Sequence, residues 1–319
     1  MPAPILHHYE FSPFAEKIRL VFGLKKLAWH SVIAPSVMPK PDLVALTGGY
    51  RHIPVLQIGA DVYCDTRRIA RELDRRYPTP ALLEPATRAL ATAIEAWAER
   101  DLFWPAVRYV SGINAETVDP QLHVDRAALR GKKAPALERL KVVARRSLAQ
   151  LRPQIPVVEQ MLCEGKPFLL AEHAGQADLA VYHGLWFLSV FKIDCVGELA
   201  AYPLTRAWMS RVAAIGHGTP QDLSPALALE IAAQGTPALL GASIHDDSLP
   251  PLGSEVAIGP DGYTTDPVTG TLAWVDHLDV AIRRLDTGLG EIMLHFPRIG
   301  YTLKEHPGPN GRTSVSSLG

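Results

Sequence analysis

The chain has 319 residues, of which 47% are hydrophobic and 20% charged, with a formal net charge of -1. That length points to two or three domains rather than one core. The near-neutral balance gives no reason to expect nucleic acid or an anionic membrane as the main partner.

The first residues, MPAPILHHYE, carry neither a basic n-region nor an apolar h-region, so no secretory signal is expected. Residues 4–9 read as a short strand closed by Ser12-Pro13, and residues 15–24 place Ile18, Val21 and Phe22 on one helix face. A β-rich run at 29–33 follows, then a proline-broken segment. Residues 53–58 and 62–64 read as two strands around a turn at 59–61, and a charged helix runs from 66 to 77. The order is β-α-β, a connection, then β-β-α. Residues 80–85 form a linker by composition. From 86 to about 216 the pattern is helical, with segments at 89–109, 137–151, 157–163, 178–191 and 203–214. The stretch 114–135 has weak periodicity and reads as loop with one short helix. Pro153 and Pro156 interrupt what would otherwise be one long helix.

Beyond Gly216 the pattern changes. Residues 224–233 read as one more helix, and from about 252 short strand-like runs are split by turn signals such as Pro260-Asp261-Gly262. Residues 278–285 and 289–296 are expected to pair as a hairpin across Asp286-Thr287-Gly288, within an antiparallel β module packed on the rest of the chain or on a partner. His295 and Arg298 are its candidates for the edge of a ligand site. The last residues, rich in Gly, Pro and Ser, read as a disordered tail. No apolar stretch approaches the roughly 20 residues a membrane helix needs. Three scattered cysteines, Cys64, Cys163 and Cys195, are too few for a disulfide framework or a zinc site, and suit a reducing, cytoplasmic setting.

Three short pieces carry chemistry. Ser12-Pro13 is a good helix start by itself, because serine caps and proline fills the first helical position. A helix N-terminus with a free hydroxyl also stabilises an anion, and would lower the pKa of a thiol placed there from about 8.5. Ile53-Pro54 precedes a strand, and a cis bond there would turn the backbone polar groups of Ile53 outward to pair with an extended peptide. Asp65-Thr66 opens the arginine-rich helix, with Thr66 either a plain N-cap or part of a site for a ligand's carboxylate. His7 and His8 read as strand residues, with no metal partner at a convincing spacing.

A strand, then Ser-Pro-Phe opening a helix, then Arg-His-Ile-Pro-Val-Leu, then Asp-Thr-x-x-Ile, followed by an all-helical region, resembles the glutathione S-transferases over about residues 4–216. The resemblance implies a thioredoxin-like α/β domain (1–79) and an all-α domain (86–218), to which residues 235–306 add a small β-rich module and 307–319 a tail. It implies that Ser12 bonds the glutathione sulfur, with Tyr9, at the end of the first strand, as its competitor. It implies that Ile53, beside Pro54, pairs with the cysteinyl unit, that Asp65 and Thr66 hold the γ-glutamyl group, and that Arg51 or His52 reaches the glycine carboxylate. Phe11, Phe14, Trp104, Tyr109 and Trp186 are candidates for an apolar pocket holding a small hydrophobic electrophile, though aromatics on helix faces are more often core. Glutathione is then a co-substrate, and no metal or organic cofactor is implied. A homodimer is implied too, with the arginine-rich helix near its interface, where those arginines would meet Glu95, Glu99 or Asp101 of the other copy.

The departures are specific. The family usually reads Glu-Ser where this chain has Asp65-Thr66. It also usually has Ser or Thr where Gly175 stands, three residues before the buried Asp178, which is read as a folding element. With no cysteine at the Ser12 position and no C-x-x-C, chemistry through a mixed disulfide is disfavoured. The alternative is a non-catalytic protein that keeps the fold and binds glutathione or another ligand.

Overall fold

The computed structural model describes residues 2–163, 165–264 and 267–306; the expected tail at 307–319 lies outside them. Strand β1 (Ile5–His8) leads through helix α1 (Pro13–Leu24) to the parallel strand β2 (Ala28–Ile33). The proline-broken segment contains a helix the sequence pattern did not suggest, α2 (Pro41–Thr47). Pro41 occupies its first turn, and Gly48 ends it at φ +68°. Strands β3 (Val55–Ile58) and β4 (Asp61–Cys64) pair antiparallel before α3 (Thr66–Arg76). All four strands of this unit lie in one sheet, with β1 between β2 and β3.

The helical region comprises α4 (Arg88–Trp97), α5 (Phe103–Ile113), α6 (Pro120–Ala128), α7 (Leu137–Leu151), α8 (Ile155–Met161), α9 (Gln176–Trp186) and α10 (Pro203–Ala213). The expected single helix at 89–109 is broken by a π turn at Ala98–Leu102. Pro105 lies just beyond it and has no N–H to continue an α-helical ladder, which favours such a local irregularity. Asp178 accepts the backbone N–H of Gly175 at 2.9 Å and of Leu169 at 2.9 Å, and the indole N–H of Trp208 at 2.8 Å. Gly175 has no side chain to complete the box. A Cβ there would stand 3.0 Å from the carbonyl oxygen of Leu82, which accounts for the small residue.

The rest of the chain returns to the sheet. Strand β5 (Thr219–Asp222) adds parallel to β2, and α11 (Pro225–Gln234) packs over α2 and β2. The chain then crosses to the opposite edge. On the way the Gln57 amide donates to the Ala228 carbonyl at 2.8 Å, and the Ala238 N–H donates to Asp61 Oδ2 at 2.8 Å. Strands β6 (Glu255–Pro260), β7 (Val268–Val275), β8 (Asp279–Asp286), β9 (Gly290–Pro297) and β10 (Tyr301–Glu305) form the antiparallel module. The expected hairpin is β8–β9, paired from Asp279 opposite Pro297 to Asp286 opposite Gly290.

The module is not a separate body. Strand β9 pairs in parallel with β4, Val62 opposite Leu294, so one sheet of ten strands runs β10-β6-β7-β8-β9-β4-β3-β1-β2-β5. One buried cluster joins Val55, Val62 and Leu46 of the first domain to Ile292, Leu294 and Phe296 of the module. Another joins α1 and α3 to the helical region through Ile18, Phe22, Ile69, Leu102 and Leu185. At the seam His295 Nε2 lies 2.8 Å from Asp61 Oδ1, and its ring stacks on Tyr63 at 4.4 Å. His295 is 2% exposed, so it belongs to the seam rather than to a ligand site.

Candidate functional site

A cleft of about 530 Å³ opens where the three parts meet. Its first wall comes from the thioredoxin-like unit: Phe14, His52, Ile53, Pro54, Asp65 and Thr66 all line it. Trp104 and Arg108 on α5 contribute the second wall, and Tyr263 and Tyr301 of the module the third. The module loop reaches the end of α6, where the Thr264 N–H donates to the Leu129 carbonyl at 3.1 Å.

Ser12 caps α1 in extended conformation, and its Oγ accepts the Ala15 N–H at 3.2 Å. The hydroxyl proton is thus free to donate at the positive end of the helix. Ser12 is however 1% exposed and does not line the cleft. The Tyr9 hydroxyl accepts from Arg126 Nη2 at 3.0 Å, and its ring lies 4.6 Å from that of Phe11. The Ile53-Pro54 peptide is cis.

Asp65 adopts φ +74°, a conformation rare and strained for a residue with a side chain. Its carboxylate accepts the Arg67 N–H at 2.9 Å, capping α3, and also the Tyr301 hydroxyl at 3.4 Å. Burial, followed by the charge of Glu99, pushes the Asp65 carboxyl up. Glu99 sits in the π turn, accepting from Lys17 at 2.7 Å and Arg67 at 2.9 Å. Burial alone would raise the Glu99 carboxyl; the two cations hold it below its usual range. These pairs, with Glu95 on Lys17, lie within one chain rather than across a dimer.

Arg51 is committed to Asp125, which also binds Arg126. His52 Nε2 is buried without a hydrogen-bond partner among the described residues, and burial with nearby cations lowers its pKa to about 4. Of the two, His52 has the free nitrogen and lines the cleft. Among the aromatic candidates, Phe14 and Trp104 line it. Phe11 packs on Phe191, the buried Tyr109 donates to Glu198 at 3.4 Å, and Trp186 lies under the Arg19 guanidinium. The arginine-rich face of α3 is turned to the module, with Arg68 and Arg71 on Asp279, while Arg75 and Arg76 bind Glu72.

Family models match the first two parts of this architecture: the N-terminal domain of glutathione S-transferase over residues 6–81, and its C-terminal domain over residues 116–215. A GST-like protein from Pseudomonas syringae is 36% identical, covering 96% of this chain and 100% of its own, with a TM-score of 0.77. The chain belongs to the glutathione S-transferase family. That match spans the β module as well, so the extension is common to both proteins. Glutathione S-transferase III in apo form (22% identity, 66% of this chain and 92% of its own, TM-score 0.50) and poplar glutathione transferase F1 (12%, 67% and 93%, 0.53) share the two-domain fold alone. A search of curated proteins returns no match.

Several residues at the site left no mark in the sequence. Tyr301 meets Asp65 from 236 residues away, and Tyr263 meets His52 at 4.7 Å between rings. Away from the lining, Lys40 donates to the Arg51 carbonyl at 3.1 Å, and burial followed by the charge of Arg126 lowers its pKa to about 7. Single-sequence patterns report local neighbours, and none of these contacts is local.

Proposed function

We propose that this chain binds glutathione in the cleft and transfers its thiolate to a small electrophile. The γ-glutamyl group would lie at Asp65 and Thr66, the cysteinyl backbone at Ile53 beside Pro54, and the glycine end at His52. Ser12 would donate to the sulfur at the α1 N-terminus, lowering the thiol pKa so that the thiolate attacks. The new C–S bond forms as the electrophile loses its leaving group or takes up a proton. Phe14 and Trp104 supply an apolar wall for the electrophile. The observation that carries this reading is that Ile53-Pro54, Asp65-Thr66 and Phe14, in the first turn of the helix that Ser12 caps, line a single cleft.

The α3 face, which a homodimer would be expected to use, is covered by the chain's own module through Asp279 and the β4–β9 pairing. We therefore propose a site complete within one chain. The free cysteines support a reducing compartment, and no helix among the described residues is long and apolar enough to cross a membrane.

The test is Ser12→Ala. Turnover with 1-chloro-2,4-dinitrobenzene should fall about ten- to thousandfold, roughly 1.4–4 kcal/mol, with little change in glutathione affinity and a raised pKa for the bound thiol. An unchanged rate together with a large loss in Tyr9→Phe moves the role to Tyr9. The burial of Ser12 away from the cleft lining favours a second reading, a non-catalytic binding protein. Glutathione that binds without thiolate absorbance or conjugation would establish it.

A further inference from the structure

Trp104 carries two guanidinium groups over its ring. Arg130 lies 4.9 Å from the ring centroid and Arg108 lies 5.8 Å from it. Arg130 also lies 5.3 Å from the centre of the Tyr263 ring, so helical domain and module hold it between them. All four residues line the cleft.

The other charges of the lining are matched except for Asp261, which accepts the Thr302 hydroxyl at 2.5 Å and pairs with no cation among the described residues. Arg67 is paired with Glu99, and Arg100 with Asp101. Glu99 is further occupied by Lys17, and Asp65 caps α3. Arg108 and Arg130 have no carboxylate within ion-pair distance among the described residues. The Arg130 guanidinium donates to the Arg126 carbonyl at 3.3 Å. Two like charges are therefore held at one aromatic ring with no carboxylate in ion-pair contact. An anion entering between them would remove their repulsion and gain the field that a walled cleft concentrates.

The ring contacts leave the hydrogen-bonding groups available. A guanidinium attracted to a ring face spends none of its N–H groups on a carboxylate, and its planar fork fits the two oxygens of one. The Trp104 and Tyr263 faces beside it suit a flat ring on the same molecule.

We propose that the second substrate is a flat aromatic carboxylate, its ring against Trp104 and Tyr263 and its carboxylate on Arg108 and Arg130. The word substrate rests on the glutathione-transfer reading; the anion site does not. The glycine carboxylate of glutathione has the same chemistry, and the test separates the two sources.

Binding of 3-nitrobenzoate and of its neutral counterpart 3-nitrobenzamide is measured on the full chain by calorimetry, with and without saturating glutathione. The variants are Arg108→Met, Arg130→Met and the conservative Arg130→Lys. Wild type should prefer the benzoate, and each Met variant should lose about ten- to hundredfold in benzoate affinity, as for one charge-assisted hydrogen bond. Benzamide and glutathione affinities should stay unchanged, and Arg130→Lys should recover part of the loss. Circular dichroism checks that each variant is folded. Equal affinity for benzoate and benzamide in wild type overturns the proposal. So does a parallel loss of glutathione affinity, or displacement of benzoate by glutathione, which would assign the arginines to glutathione itself. A wild type that binds benzoate but not glutathione leaves the anion site standing and refutes the transferase reading alone.

Discussion

His183 on α9 is 0% exposed, its ring centre 5.0 Å from those of both Phe14 and Phe103, and neither ring nitrogen has a partner among the described residues. Burial, reinforced by the charge of Lys17, lowers its pKa to about 3. In the unfolded chain it would titrate near 6.5. Between those values the unfolded state binds more protons, so stability rises with pH and is lost as pH falls from 6.5 toward 3. Going down to pH 5 crosses about 1.5 pH units of that window, which at about 1.36 kcal/mol per unit is a loss of roughly 2 kcal/mol from this one side chain. His183→Leu keeps a similar volume and removes both the proton site and the unpaired nitrogens. At pH 7 the relief of about 1–3 kcal/mol for unsatisfied polar groups should outweigh about 0.5–1.5 kcal/mol of lost ring contacts. Urea unfolding followed by far-ultraviolet circular dichroism at pH 7 and pH 5 reads both effects. The variant should lose about 2 kcal/mol less than wild type between the two conditions. His7, His8 and His52, lowered to about 4, 3 and 4 mainly by burial, titrate in the same direction and remain in both proteins, so the difference isolates His183. Identical pH dependence in the two proteins would refute the reasoning.

Removing residues 235–319 should give insoluble or partly unfolded protein. The cut exposes the β4 edge, opens the cluster around Val62 and Leu294, and strips Asp61 of both His295 and the Ala238 N–H. A soluble truncation that melts like wild type would show that the seam is dispensable. Gly270 lies on β7 where a Cβ would stand 2.6 Å from the Arg283 carbonyl oxygen of β8, so Gly270→Ala should cost about 1–3 kcal/mol in urea unfolding. No change there would mean that the two strands part freely.

Legibility in the sequence followed the range of the interaction. Helix α7 falls on the expected 137–151 because its apolar spacing is continuous. The β8–β9 hairpin was readable because Asp286 sets the turn, accepting from the Gly288 and Leu289 N–H groups. The cap at Ser12 was readable for the same reason, whereas the cap of α3 falls on Asp65, one residue before the expected Thr66. Helix α2 was hidden because its prolines read as breakers, although one of them starts the helix. The β4–β9 pairing was hidden because a parallel partner can lie at any distance along the chain. At the site, Arg51 and His52 were alike as sequence candidates. Only the fold shows that Asp125 claims the arginine and leaves the histidine nitrogen unpaired.

The parallel pairing of Asp61 with Met293 sets an order of events during synthesis. The two residues are 232 positions apart (293 minus 61), and ribosomes add about 5–20 residues per second. The β4 edge therefore emerges about 12 to 46 seconds before its partner strand is made. For that interval the growing protein carries a bare strand edge and the apolar face of Val55 and Val62. Arrest or proteolytic loss of the C-terminal quarter should thus prevent the N-terminal domain from closing its sheet, a division of labour unlike that of a chain whose first domain matures on its own.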